Sequence, residues 1–145
     1  MAHELWPHDA TTPLGASVVP IASSTDIVGA RQRGRELASQ IGFTGSDLTV
    51  IATAISELAR NIIEYAKSGE IVLSLAHRGS RMGIQIVARD EGPGIAEVAR
   101  AVQPGYTTGN GLGLGLPGVR RLMDDFEIAS VVGKGTSVTA RKWII

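Results

Sequence analysis

The sequence predicts an α+β domain, with helices gathered on one side of a mostly antiparallel sheet. Three observations point there. The hydrophobic period switches between helical and strand-like in the order β-α-α-β-β-α-β-β, so strands follow one another in pairs instead of alternating with helices. One long segment starting at Ser46 or Asp47 carries a single apolar stripe at three- and four-residue steps. The chain has 145 residues, 43% of them hydrophobic, and shows no internal repeat or linker, which suits one core.

Each element has a local reason. Residues 1–16, mostly MAHELWPHDATTPLG, lack the continuous apolar run of a signal peptide and are expected to form a loose leader before a single domain over 17–145. SVVPI, Ser17 to Ile21, reads as an edge strand because Pro20 cannot donate to a ladder. A helix is expected from Asp26 as N-cap to a close at Gly42. The second helix places Leu48, Ile51, Ala52, Ile55, Leu58, Ala59, Ile62 and Ala66 on its stripe. EIVLSLAHR and MGIQIVARDEG then alternate with period two, joined by a tight turn at Gly79 and Ser80. Met82, Ile84, Ile86 and Ala88 share one face of the second strand, and Asp90 falls on that same face at its end. A short helical piece is expected around Ala96 to Val102. GNGLGLGLPG, Gly109 to Gly118, runs into a helix near Leu116 to Asp124, where Pro117 suits a first turn. FEIASVV, the turn GKG and TSVTARKW close the chain as a hairpin in which Thr136, Val138 and Ala140 share a face. Trp143 is expected to pack on the sheet.

Composition narrows the function. Fourteen basic and fourteen acidic residues leave no net field to attract nucleic acid or an anionic membrane, so neither is expected as a partner. The absence of cysteine excludes disulfides and thiolate metal sites and fits a cytoplasmic location. No apolar run approaches the ~20 residues that span a bilayer.

Three short motifs carry chemistry. In ELARN, Glu57 and Asn61 stand four apart on one helix face, away from the apolar stripe. That face is either plain solvated surface or a cleft-facing pair. In the second case Asn61 offers Mg²⁺ a neutral oxygen, and Glu57 is placed to take a proton from an attacking hydroxyl. DEGPG, Asp90 to Gly94, is either a polar turn or a pocket wall. A carboxylate continuing an apolar face needs a donor, and an exocyclic amine such as adenine's supplies one, with Gly92 and Gly94 leaving room for a flat ring. The glycine run is either a hinge or an anion cradle, since glycine-rich backbone before a helix N-terminus offers N–H groups and the positive end of the dipole. Its spacing matches neither a P-loop nor a dinucleotide fingerprint.

With these three motifs in order, the chain resembles the GHKL ATPase superfamily, which includes gyrases, histidine kinases, MutL and bacterial anti-sigma kinases. ELARN resembles the N box, DEGPG the first glycine box, and GLGLG followed by GKGT the second, over roughly Ser17 to the C-terminus. The resemblance implies the Bergerat α/β sandwich, with ATP between sheet and helices and Mg²⁺ as second cofactor. By position it implies that Asn61 ligates Mg²⁺ and Glu57 serves as general base. Asp90 would bind the adenine amine, with Thr136 completing the contact through water, and Gly92, Gly94 and Ile95 would line the base pocket. Gly111, Leu112, Gly113, Leu114 and Gly115 would form the lid over the phosphates. The chain departs from many members in having no Lys or Arg between Arg100 and Arg120, and Glu64 three positions after Asn61. Phosphate charge is then left to Mg²⁺, backbone amides and Arg60 or Lys67, with Arg60 favoured because it lies beside the pair.

Within the superfamily, ARQRGRELASQIGF, AISELARNIIEYA and GLPGVRRLMDDFEIASVVGKGTSVTARKW resemble the RsbT-type serine/threonine kinases of the stressosome. That resemblance implies transfer of phosphate to Ser/Thr of STAS-domain partners of the RsbS and RsbR types. It also implies binding and activation of a PP2C-type phosphatase (RsbU-like) on release. The alternatives are an anti-sigma kinase of the RsbW and SpoIIAB type, or a nucleotide-gated binding module with little catalysis. A detached histidine-kinase domain is disfavoured because His3, His8 and His77 lie on no dimerisation helix, and a gyrase-like enzyme would need a transducer domain.

Overall fold

A computed structural model describes residues 15–95 and 115–145. The leader up to residue 14, the helical piece expected over Ala96 to Val102, and the glycine run from Gly109 to Leu114 lie outside the described residues. The elements are β1 (Ser17–Ile21), α1 (Ser24–Ile41), α2 (Ser46–Ala66), β2 (Gly69–Arg78), β3 (Arg81–Asp90), α3 (Gly115–Leu122), β4 (Asp125–Val131) and β5 (Gly135–Trp143). The strands form one sheet in the order β1-β2-β3-β5-β4, and all four pairings are antiparallel.

The two hairpins form where period-two patterning meets a tight turn, at Gly79–Ser80 and Gly133–Lys134. Gly79 and Gly133 both take positive φ. β5 then inserts between β3 and β4, which sets Asp90 at the end of β3 directly opposite Thr136. β1 is an edge strand, the place in a sheet where a residue without an N–H, here Pro20, is tolerated.

The first helix starts earlier than the sequence suggests. Ser23 is its N-cap, and Asp26 sits three residues in. The Asp26 carboxylate reaches back to accept the N–H groups of Ala22 (2.8 Å) and Ser23 (3.2 Å). Asp26 therefore serves the same helix end from the other half of a capping box. The far end closes at Gly42, whose N–H donates to Ala38 and Ser39.

The helices cover one face of the sheet. Ile21, Ile71, Leu73, Ile84, Ile86, Val138 and Ala140 meet Ile51, Ile55, Leu58 and Ile62 of α2 in a single core. Small residues Ala30, Gly34 and Ala38 line the buried side of α1, bringing its backbone close to α2. A Cβ on Gly34 would stand 2.0 Å from Ile55 Cδ1. Trp143 is buried on the sheet's other face, its indole N–H donating to Asp125 (2.9 Å), with the guanidinium groups of Arg78 and Arg81 against its ring. Among the described residues, no helix is long and apolar enough to cross a membrane.

Candidate functional site

The α2 stripe alone would leave Glu57 on the outside. The structure buries it: Glu57 is only 7% exposed, because α3 packs against α2 on that side. The solvated-face reading of ELARN therefore fails for Glu57. A carboxylate taken out of water needs donors, and this one has them on both oxygens. Oε2 accepts from Arg60 Nη1 (2.5 Å), one turn along the helix. Oε1 accepts the backbone N–H of Gly115 (3.1 Å), the first residue of α3. Negative charge is favoured there because the first N–H groups of a helix lack intrahelical partners and carry the positive end of its dipole. Gly115 has φ +65°, so glycine permits the chain to turn into α3 at this point. Asn61, one turn beyond Glu57, is half-buried. Lys67 forms the C-cap of α2 with a left-handed φ of 71° and is exposed.

A second group of polar residues sits where three neighbouring strands end. Asp90 terminates the helix-facing row Ile84, Ile86 and Ala88 of β3 and is half-buried. Its Oδ1 accepts the N–H of Gly92 at 2.8 Å. Burial raises its pKa above the ordinary carboxylate value, and the backbone N–H groups of Gly92 and Thr136 offset part of that rise. On β5, Thr136 continues the row of Val138 and Ala140 and is buried. On β4, Ser130 continues the row of Phe126 and Ile128 and pairs with Thr136 across the hairpin. The two hydroxyls are 2.8 Å apart. Ser130 Oγ also accepts the N–H of Ile95 (2.6 Å) and lies 3.2 Å from the Gly135 carbonyl.

Sequence reasoning passed over Ser130. The signal was available: like Asp90, it is a polar residue at the end of an alternating apolar face. The glycines of DEGPG also serve packing within the chain. A Cβ on Gly92 would stand 2.6 Å from Ala66 Cβ, and one on Gly94 would stand 2.5 Å from the Val131 carbonyl, with φ at +79°. These glycines let the loop lie against the end of α2 and the β4–β5 turn. Ile95, half-buried, follows them directly.

The structure thus brings Glu57, in the middle of α2, into contact with Arg60 and with Gly115 at the start of α3, and links Asp90, Gly92, Ile95 and Thr136, with Ser130 between the last two, through hydrogen bonds at the tips of β3, β4 and β5. Gly111, Leu112, Gly113 and Leu114, which the resemblance assigns to a lid, lie outside the described residues. Among the described residues, no group of three or more His, Cys, Asp or Glu is placed to hold a metal ion. A divalent ion here would take most of its ligands from water and a bound polyphosphate, the usual habit of Mg²⁺. Asn61 is compatible with that role as a single neutral ligand.

Comparison with known proteins places these features. The family model for the histidine kinase-like ATPase domain matches residues 22–142. The chain is 50% identical over 129 residues to the serine/threonine-protein kinase RsbT of Bacillus subtilis (strain 168), covering 88% of this chain and 96% of that one. It is 34% identical over 113 residues to the anti-sigma F factor of Thermoanaerobacter sp. (strain X514), covering 74% of this chain and 78% of that one. Among solved structures, it resembles the RsbU and RsbW domains of a Mycobacterium tuberculosis protein at TM-score 0.60 and 21% identity. The match covers 90% of this chain and 32% of that one, so the chain spans about a third of that structure. The mycobacterial sensor histidine kinase MprB matches at TM-score 0.54 and 19% identity, covering 86% of this chain and 95% of that one. The chain belongs to the histidine kinase-like ATPase domain family, the GHKL type, and is an ATP-dependent kinase within it.

Proposed function

We propose that the protein is a serine/threonine kinase that transfers the γ-phosphate of ATP to STAS-domain partners of the RsbS and RsbR types in a stressosome-like partner switch. On release from them it binds and activates a PP2C-type phosphatase of the RsbU type. The setting is the cytoplasm, and the catalytic unit is residues 17–145. The observation that supports this most is the Glu57 carboxylate. It ties the ELARN motif to the residue that closes the GLGLG run, 58 positions away, through the Gly115 N–H.

Mg²⁺–ATP supplies the phosphoryl group, and the protein's task is placement and charge. Asp90 accepts from the adenine amine, Thr136 completes that contact through water, and Gly92, Gly94 and Ile95 wall the base. Asn61 would give a bound Mg²⁺ one oxygen, and residues 111–115 are assigned to the phosphates. Glu57 orients the acceptor hydroxyl and takes its proton as the new P–O bond forms and ADP leaves. A carboxylate has about four acceptor sites, so the bonds to Arg60 and Gly115 leave capacity for that proton. Arg60 fixes the orientation of Glu57, and the remaining N–H groups of its guanidinium serve phosphate oxygens.

The test is incubation with Mg²⁺ and γ-labelled ATP, with and without a STAS-domain protein of the same genome. Label on a partner serine or threonine supports the reading; ATP binding without label on any partner contradicts it. A second reading, anti-sigma factor, is favoured by the 34% identity to an anti-sigma F factor. Stable nucleotide-dependent capture of a sigma factor would support that one instead.

A further inference from the structure

Ser130 is the most connected side chain at the base end of the site, and its hydrogen can be assigned from its partners. A hydroxyl has one hydrogen and two lone pairs. The Ile95 N–H (2.6 Å) can only donate to Ser130 Oγ, and the Gly135 carbonyl (3.2 Å) can only accept from it. All three contacts of Ser130 are satisfied together in one way. Ser130 donates to Gly135, and the Thr136 hydroxyl, 2.8 Å away, donates to Ser130. Thr136 then has its hydrogen turned toward Ser130 and only lone pairs left for anything beside it. Ionised Asp90, opposite Thr136 in the β3–β5 ladder, is likewise an acceptor.

We infer that Ser130 is a positioning residue for nucleobase selection. By holding the Thr136 hydrogen, it makes the base end of the pocket an all-acceptor surface, which takes a purine carrying an amine at the six-position and rejects one carrying a carbonyl there. The inference rests on the reading of Asp90 and Thr136 as the base-binding residues, and it adds the source of discrimination. Adenine presents two N–H groups at the six-position. Hypoxanthine presents a carbonyl oxygen, which finds no donor from Thr136 while Ser130 holds that hydrogen, and none from a water whose two hydrogens are taken by the acceptors Thr136 and Asp90. Removing the Ser130 hydroxyl frees Thr136 to donate, so the penalty against the carbonyl falls.

The experiment is calorimetric titration of the full chain with ATP and with ITP, for the unmodified protein, Ser130→Ala, Thr136→Val and the double variant. The unmodified protein is expected to prefer ATP. Ser130→Ala is expected to reduce the ATP-to-ITP affinity ratio by about tenfold, the scale of one neutral hydrogen bond gained or lost. If Ser130 acts through Thr136, adding Ser130→Ala to Thr136→Val leaves the ratio where Thr136→Val alone put it. A purely structural Ser130, serving only Ile95 and Gly135, would weaken both nucleotides equally and leave the ratio unchanged, which overturns the inference. Should Ser130→Ala fail to fold, Ser130→Cys, close in shape with a weak hydrogen-bonding group, carries the same expectation. If the unmodified protein binds neither nucleotide, the base-site reading itself fails and takes this inference with it. Binding with an unaltered ratio removes this inference alone.

Discussion

Asp90, in the role proposed for it at the base, works against the fold while serving the site. Burial raises its pKa, so the folded protein holds a proton on this carboxyl more tightly than the unfolded chain does. A carboxyl whose folded pKa lies above its unfolded value adds stability below the unfolded value, and that stability is lost as pH rises through the folded pKa. At neutral pH, ionised Asp90 therefore costs stability. Asp90→Asn keeps an oxygen for the Gly92 N–H and removes the charge. Its melting temperature should equal or exceed that of the unmodified protein, as measured by calorimetry. ATP affinity should nevertheless fall by about 10- to 100-fold, the scale of a hydrogen bond to a charged group. In the unmodified protein, affinity should also decline on acidification, starting above the range of an ordinary carboxylate. In Asp90→Asn that step should be absent. A variant that binds ATP normally would remove Asp90 from the base site.

At the scale of elements, what the sequence shows depends on how local each contact is. Both hairpins and the α2 stripe were legible because period and turn chemistry lie within a few residues of one another. The α1 start was misplaced by three residues because Ser23 and Asp26 both suit a cap, and only the backbone distinguishes N-cap from N3. The burial of Glu57 was not legible. Its cover, α3, comes 58 residues later at Gly115, and helical geometry alone puts Glu57 outside the stripe. Ser130 was missed for a related reason, since its partners Ile95 and Thr136 meet only once β5 has inserted between β3 and β4. The α1–α2 contact offers a test of packing itself. Gly34→Ala puts a methyl group into the space of Ile55, and overpacking of this kind costs about 1–3 kcal/mol. Ile55→Ala removes a fully buried side chain and should cost about 2–5 kcal/mol. Urea denaturation measures both, and neutrality of either would contradict the close helix packing.

At the scale of the molecule, the fold gathers two ends of one site from distant parts of the chain. α2 and the start of α3 hold the proposed acid–base and metal end, while the tips of β3, β4 and β5 hold the proposed base end. The two ends should separate experimentally. Asn61→Ala changes a half-buried polar residue and should leave the fold intact while abolishing phosphotransfer, with circular dichroism and label transfer as the paired readouts. Unfolding, or full activity, would remove Asn61 from the metal role.

The central claim is that Glu57 serves chemistry and does more than cap α3. The most direct measurement compares unmodified protein and Glu57→Gln for transfer of label from γ-labelled ATP, with Mg²⁺, to a STAS-domain partner, alongside ATP affinity. Glutamine keeps an oxygen for Gly115 and loses the basic carboxylate. The account predicts near-normal ATP binding with transfer reduced about 10²- to 10⁴-fold, the range of general-base contributions. Undiminished transfer by a folded Glu57→Gln protein would contradict it.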